Sequence, residues 1–382
     1  MTDTLTVPSF DALRAALQAR IDAGLLPGAV ALVQHRGRTA FFEALGRLGP
    51  AADAPPMARD SLFRIYSMTK PIVSLATLML VEEGRLLLSD PVARWLPAFA
   101  GQTVLQADGS RVPVQRDATV HDLLRHTAGL SYAWEPGPVQ DAYLAARIGS
   151  RRMTNAQLAA ALGPLPLAHQ PGSAFDYSRA TDVLGALLEA VEGASLGELL
   201  QRRVLGPLGM HDTGFRVPPA DVPRVAEPQM PAAGDAVVVA TTLLDVREPV
   251  VFESGGGGLI STAGDYARFL ALLAGGGTAH GVRLLGRKTV EWMMADHLGP
   301  QLPVHGTLLA PGHGFGLGFA VRRERGLAPR AGSPGTCSWS GVAGTVFFVD
   351  PTEDLFALVL TQAPGQLDPL CDLLPNTVFG AL

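Results

Sequence analysis

The sequence predicts an α+β fold: one antiparallel sheet assembled from both ends of the chain, flanked by helices, with a mainly helical region inserted between its halves. Three observations carry this expectation. Residues 29–34 and 39–44 are apolar-rich runs separated by Arg36 and Gly37, the pattern of a β-hairpin. Residues 345–349 and 355–361 form a second such pair around Asp350, Pro351 and Thr352, near the opposite end of the chain. Between the two pairs, apolar residues recur mainly at helical spacing. The division that follows is a discontinuous sheet domain of residues 1–75 and 255–382 and a mainly helical domain of residues 76–254, with a cleft between them.

In chain order, Phe10, Leu13, Leu17 and Ile21 fall on one helical face behind Ser9, which is placed to cap it. The N-terminal hairpin follows. Residues 68–83 are apolar nearly all round and stop at Gly84, as a buried helix does. Residues 119–125, 155–162, 181–192 and 196–204 give four further helical patterns. The runs Gly255 to Gly258 and Gly275 to Gly277 read as tight turns around a helix at 263–273, because neither has the spacing that cradles phosphate. Small residues from Ser338 to Gly344 lead into an expected edge strand at 345–349, and a last helix starts near Gln366.

The chain has 382 residues, a net charge of −5 and 17% charged residues, so it lacks the basic field that a nucleic-acid or anionic-membrane partner requires. No uncharged apolar run is long enough to span a bilayer, and residues 1–24 lack a basic segment followed by an apolar one, so neither a membrane anchor nor a signal peptide is expected. Cys337 and Cys371 are the two cysteines, too few for a disulfide framework and compatible with a reducing, cytoplasmic setting. The nine histidines show no metal-ligand spacing, and neither a metal nor an organic cofactor is expected.

Of 30 basic residues only Lys70 and Lys288 are lysine, which gives weight to Ser67-Met68-Thr69-Lys70. Positions i and i+3 of a helix share a face, so the Lys70 amine reaches the Ser67 hydroxyl. Both sit in a first turn, where unpaired N–H groups favour an alkoxide and disfavour an ammonium, and a buried Lys70 of lowered pKa can take the serine proton. The plainer alternative, a capping serine and a surface lysine, puts a cation at the unfavourable end of the helix.

Two further segments carry chemistry less strongly by themselves. Tyr177 stands at a loop-to-helix junction in Phe175-Asp176-Tyr177-Ser178-Arg179, where a phenol serves acid–base work if cations stabilise its phenolate; a core tyrosine is the alternative. Cys337-Ser338-Trp339-Ser340-Gly341-Val342 precedes a strand, where a backbone N–H can face a developing oxyanion or simply form a bulge.

These three segments in this order resemble the serine β-lactamase and penicillin-binding-protein superfamily, with its S-x-x-K, Y-x-N and K-T-G elements. Residues 122–130 (DLLRHTAGL), 255–270 (GGGGLISTAGDYARFL) and 314–319 (GFGLGF) are similar to other family landmarks. Within the superfamily the chain looks most like the family VIII carboxylesterases, relatives of class C β-lactamases. The resemblance implies a β-lactamase/transpeptidase-like fold, Ser67 as nucleophile, Lys70 and Tyr177 as the proton-transfer pair, and the N–H groups of Ser67 and Val342 as oxyanion hole.

Two departures matter. Trp339-Ser340-Gly341 replaces K-T-G, so the ammonium that would hold a carboxylate is gone and uncharged acyl substrates are favoured. Arg179 replaces the Asn of Y-x-N; pointing inward it acts on Tyr177 or on an anionic substrate, pointing outward it is surface. A rival serine, Ser195 in Gly193-Ala194-Ser195-Leu196-Gly197, matches the nucleophile elbow of α/β-hydrolases, but a helical pattern precedes it and Glu198 completes a capping box. His126 reads as structural, His313 as a cleft residue, and Tyr132 and Trp134 as an acyl-pocket wall or core.

The expected function is a serine carboxylesterase acting on small, short-chain, uncharged esters through an acyl-enzyme. A β-lactamase or D-Ala-D-Ala peptidase and an acyltransferase are the alternatives on the same site, and a non-catalytic binding protein is the alternative from another class.

Overall fold

The computed structural model describes residues 9–134, 136–230 and 244–382. The first eight residues of the N-terminal stretch lie outside it.

Helix α1 (Asp11–Asp22) precedes the hairpin β1 (Gly28–His35) and β2 (Arg38–Gly46), which turns at Arg36 and Gly37, both left-handed. A short strand β3 (Phe63–Arg64) leads into α2 (Thr69–Glu82). Helices α3 (Val120–Leu124), α4 (Pro138–Ala145), α5 (Asn155–Leu162), α6 (Ala180–Glu192) and α7 (Leu196–Leu200) follow, then β4 (Ile260–Ser261), α8 (Ala263–Ala274) and α9 (Arg287–Met293). The chain finishes with β5 (His313–Phe315), β6 (Ala320–Arg322), β7 (Cys337–Gly341), β8 (Thr345–Asp350), β9 (Leu355–Thr361) and α10 (Leu367–Phe379).

Seven strands form one antiparallel sheet in the order β2-β1-β9-β8-β7-β6-β5. Its centre joins the chain ends, Ala29 pairing with Thr361 and His35 with Leu355. Alternate residues enter different cores: Ala29, Ala31 and Val33 face α1 and α10, whereas Val30 and Leu32 face the helical side that includes α2 and α8. Because both faces are covered, β9 is a continuous apolar run rather than an alternating one. Burial of this area is the main stabilisation, at roughly 25 cal/mol per Å² of apolar surface.

Two expectations are corrected. Thr345 to Val349 is no edge strand: β8 lies between β9 and β7, and Cys337–Gly341 is itself a strand paired with it. Ser9 stands one residue outside the cap of α1, because Phe10 takes the cap position and drops into the core against Phe41, ring centres 6.2 Å apart. The capping-box reading of Ser195 holds: its hydroxyl accepts from the Glu198 N–H, the Glu198 carboxylate accepts from the Ser195 N–H, and α6 rather than a strand comes before it. Helices α4 and α9 and strands β5 and β6 were not expected as elements; the two strands have three residues each, too short to show a period.

Candidate active site

Ser67 sits in a single 3-10 turn, Tyr66–Met68, that runs into α2. The turn is reached through Tyr66 in the left-handed region at φ 43°, an uncommon conformation for a bulky residue. Pairing of β3 with β4, extended by the Ile65 N–H donating to Leu259 O, fixes the turn against the segment that contains Gly256. From the other side Gly341, at the end of β7, meets the lead-in to the Ser67 turn: a Cβ added there would lie 2.3 Å from Ile65 O.

One helical turn on, Lys70 is completely buried. Its Nζ donates to the Gly256 carbonyl at 2.6 Å and lies 3.2 Å from Ser67 Oγ and 3.3 Å from the Tyr132 hydroxyl. It also stands 4.6 Å from the Tyr177 ring centre. Burial lowers its pKa to about 7; Asp182 opposes the shift and Arg179 adds to it. Near neutral pH a substantial fraction of Lys70 is therefore the free amine, with a lone pair available to Ser67.

Tyr177 precedes α6, and its hydroxyl bonds the Ser67 side chain and accepts the Trp339 indole N–H at 3.3 Å. Burial pushes the phenol above its ordinary range, with the Ser67 and Trp339 bonds opposing it. Burial thus disfavours a phenolate at Tyr177, and Lys70 is a cation close to its ring. His126, buried and left-handed at φ 57°, accepts the Ser178 N–H at 3.2 Å and packs on the Tyr177 ring, so it orients the tyrosine segment.

A cavity of about 410 Å³ opens over Ser67. Tyr177, Trp134, His313, Trp339, Ser340 and Val342 share its wall, and it continues along β7 to Cys371 and Leu374 of α10. Of β7, strand β6 pairs with Cys337 and Ser338, and among the described residues no strand pairs with Trp339 to Gly341 on that side. Trp339 fills the place beside Tyr177 with an indole, 5.2 Å from both the Tyr177 and Phe315 ring centres.

Three expected pocket residues do not line this cavity. Tyr132 lies beneath it as a Lys70 partner, with Trp134 stacked on its ring at 4.1 Å. Gly341 serves close packing. Arg179 points inward, but to Asp182 and the Tyr132 ring rather than to Tyr177 or a substrate. Asp182 and Gly256 were missed; the available signal was an acidic residue in the first turn of a mainly apolar helical pattern.

No helix among the described residues is long and apolar enough to cross a membrane, and no cluster of three or more His, Cys, Asp or Glu suited to a metal occurs among them.

Comparison with known proteins places these features in context. The family described as Beta-lactamase matches residues 13–378. Protein Rv1367c of Mycobacterium tuberculosis is 39% identical over 93% of this chain and 90% of its own length. Esterase EstB of Burkholderia gladioli is 35% identical over 98% of this chain and 97% of its own. Among solved structures, EstCE1, described as a hydrolase with promiscuous acyltransferase activity, superposes with a TM-score of 0.80 at 29% identity, covering 97% of this chain and 98% of that one.

Proposed function

Since the chain belongs to the β-lactamase family, we propose that it is a serine hydrolase of carboxylic esters, acting on short, uncharged acyl groups through an acyl-enzyme. The observation that carries this reading is the buried Lys70 amine 3.2 Å from the Ser67 hydroxyl, beneath a cavity whose wall holds an indole at Trp339. Similarity to an esterase supports the ester substrate.

In this mechanism the neutral Lys70 amine takes the Ser67 proton as Oγ attacks the ester carbonyl. Its bonds to Gly256 O and Tyr132 hold the resulting ammonium in place. The N–H groups of Ser67 and Val342 receive the oxyanion. Tyr177, protonated and bonded to Ser67, passes a proton to the departing alkoxide and is resupplied by Lys70. Water then attacks the acyl-enzyme by the reverse relay. Trp339 disfavours β-lactams and peptide carboxylates, because an indole offers no charge to a carboxylate. Acyl transfer to an alcohol is the second reading, favoured by a cavity that runs past the nucleophile far enough to seat an acceptor in place of water. This reading divides the chain into residues 1–75 with 255–382 and residues 76–254, and the free thiols Cys337 and Cys371 suit the cytoplasm.

The test is hydrolysis of p-nitrophenyl acetate, butyrate and octanoate beside nitrocefin, with wild type, Ser67→Ala and Ser195→Ala. Ester turnover lost only in Ser67→Ala, with nitrocefin slow, is expected. Fast nitrocefin turnover moves the activity to β-lactams, and loss only in Ser195→Ala overturns the site.

A further inference from the structure

Arg179 occupies the position at which the related Y-x-N element has an amide, and its surroundings show what replaces that amide. The guanidinium donates to the Asp182 carboxylate at 3.1 Å and lies 4.9 Å from the Tyr132 ring centre. Gly149, at φ 94°, leaves room for it; a Cβ there would come within 2.1 Å of Arg179 Nη2. Asp182 is fully buried on α6, where an unpaired carboxylate is strongly unfavourable. Its second oxygen accepts the Ser254 hydroxyl at 2.5 Å and the Gly256 N–H at 2.9 Å. The loop comes this close because it is glycine: a Cβ on Gly255 would lie 2.5 Å from Thr181 O, and one on Gly256 2.9 Å from the Asp182 carboxylate. The same Gly256 presents its carbonyl to Lys70 Nζ at 2.6 Å.

We propose that Asp182 is a positioning residue, a buried carboxylate compensated by Arg179 that holds the Ser254–Gly256 loop so that the Gly256 carbonyl captures Lys70 and aims its amine at Ser67. The Arg179–Asp182 pair thereby does through one backbone turn what a direct amide contact does in the Y-x-N arrangement. The inference rests on the ester-hydrolase reading for the use to which Lys70 is put, and on geometry alone for its placement.

Besides the loop, the groups that face or act on Lys70 are Ser67 on its own turn, Tyr132, Tyr177, His126, and the charged pair Arg179 and Asp182. The charges act in opposite senses, Asp182 favouring the ammonium and Arg179 the amine. These shifts follow from charge and distance alone, so the loss of kcat against an unchanged KM is the readout of positioning.

Lys70 and Lys288 are the two lysines of the chain, one buried and one exposed, so lysine labelled with ¹³C at Cε gives one signal for each. The experiment titrates the full-length wild type, Asp182→Asn and Arg179→Met by NMR and measures p-nitrophenyl butyrate hydrolysis and thermal unfolding alongside. The Lys70 midpoint should fall in Asp182→Asn and rise in Arg179→Met, each by about 0.5 pH unit or more, with Lys288 unmoved. Asp182→Asn should lose about 10- to 100-fold in kcat with KM little changed. Lowered melting temperatures with the Lys70 midpoint in place in both variants overturn the proposal. Should Asp182→Asn fail to fold, Arg179→Met decides: a raised midpoint with kcat lowered and KM little changed is expected, and an unchanged kcat at pH values where Lys70 is neutral overturns the proposal. Midpoints that move as stated in a protein that hydrolyses no ester uphold the placement of the Arg179–Asp182 pair beside Lys70 and overturn only the proposed reaction.

Discussion

Lys70 is held more closely by the carbonyl of Gly256, at 2.6 Å, than by the hydroxyl of Ser67, at 3.2 Å. The amine is thus located by backbone and remains free to exchange a proton with the side chain it serves. This arrangement has a cost in stability, which gives the first prediction.

Lys70 has a folded pKa of about 7 against 10.5 in the unfolded chain, so between these values the unfolded state binds more protons. The penalty is full below about pH 7 and is relieved as pH rises toward the unfolded value. Lys70→Met should abolish ester turnover and raise stability at neutral pH by roughly 1–3 kcal/mol, after allowance for an unbonded Gly256 carbonyl. In the wild type, kcat/KM for p-nitrophenyl butyrate should rise with pH through about 7. Denaturant unfolding and a pH–rate profile check both; an acid limb near 5 contradicts the assignment of Lys70 as base.

Gly341→Ala should be severe for its size. The added methyl would stand 2.3 Å from the backbone Ile65 O and 2.4 Å from the buried Thr345 Oγ1, so the end of β7 must move away from the Ser67 turn. A shift of the Val342 N–H by a few tenths of an ångström or more should reduce kcat about 100-fold with a smaller change in KM. Steady-state kinetics on the folded variant decides it.

Trp339→Phe keeps the aromatic contacts with Phe315 but removes the donor to the Tyr177 hydroxyl. Loss of one buried hydrogen bond of about 1–1.5 kcal/mol corresponds to a decrease in kcat near 10-fold. Unchanged kinetics would mean that the indole only fills space.

Ser195→Ala should leave hydrolysis untouched and lower stability by about 1 kcal/mol through loss of the α7 cap. Parallel activity and urea-melt measurements separate these effects.

Much of this architecture was legible in the residues. Strands β1, β8 and β9 are visible because strands buried on both faces are long apolar runs, and α2 because it is apolar all round. The pairing of Ser67 with Lys70 follows from helical spacing and from the scarcity of lysine. What stayed hidden depends on contacts between distant segments. The protonation of Tyr177 is set by burial among rings from several elements. The destination of Arg179 depends on α6 lying against the 254–256 loop, for which no local pattern exists. Cys337–Gly341 reads locally as a turn or bulge leading into a strand, and only its pairing with β8 makes it a strand itself.

The sheet order has a temporal consequence. An interior strand, β9, comes last of the seven in sequence, and it pairs with β1, the first of them. Until residues 355–361 have left the ribosome, the N-terminal hairpin has one unmatched side and β8 has no neighbour toward it. Contacts of such sequence separation form slowly, and a waiting edge of this kind invites wrong partners. The Ser67 turn is clamped by Gly341 and Thr345 from β7 and β8, so the nucleophile acquires its final setting only after those strands have been made and docked. A nascent chain halted before β9 should therefore carry every residue of the proposed proton relay and yet lack an assembled site.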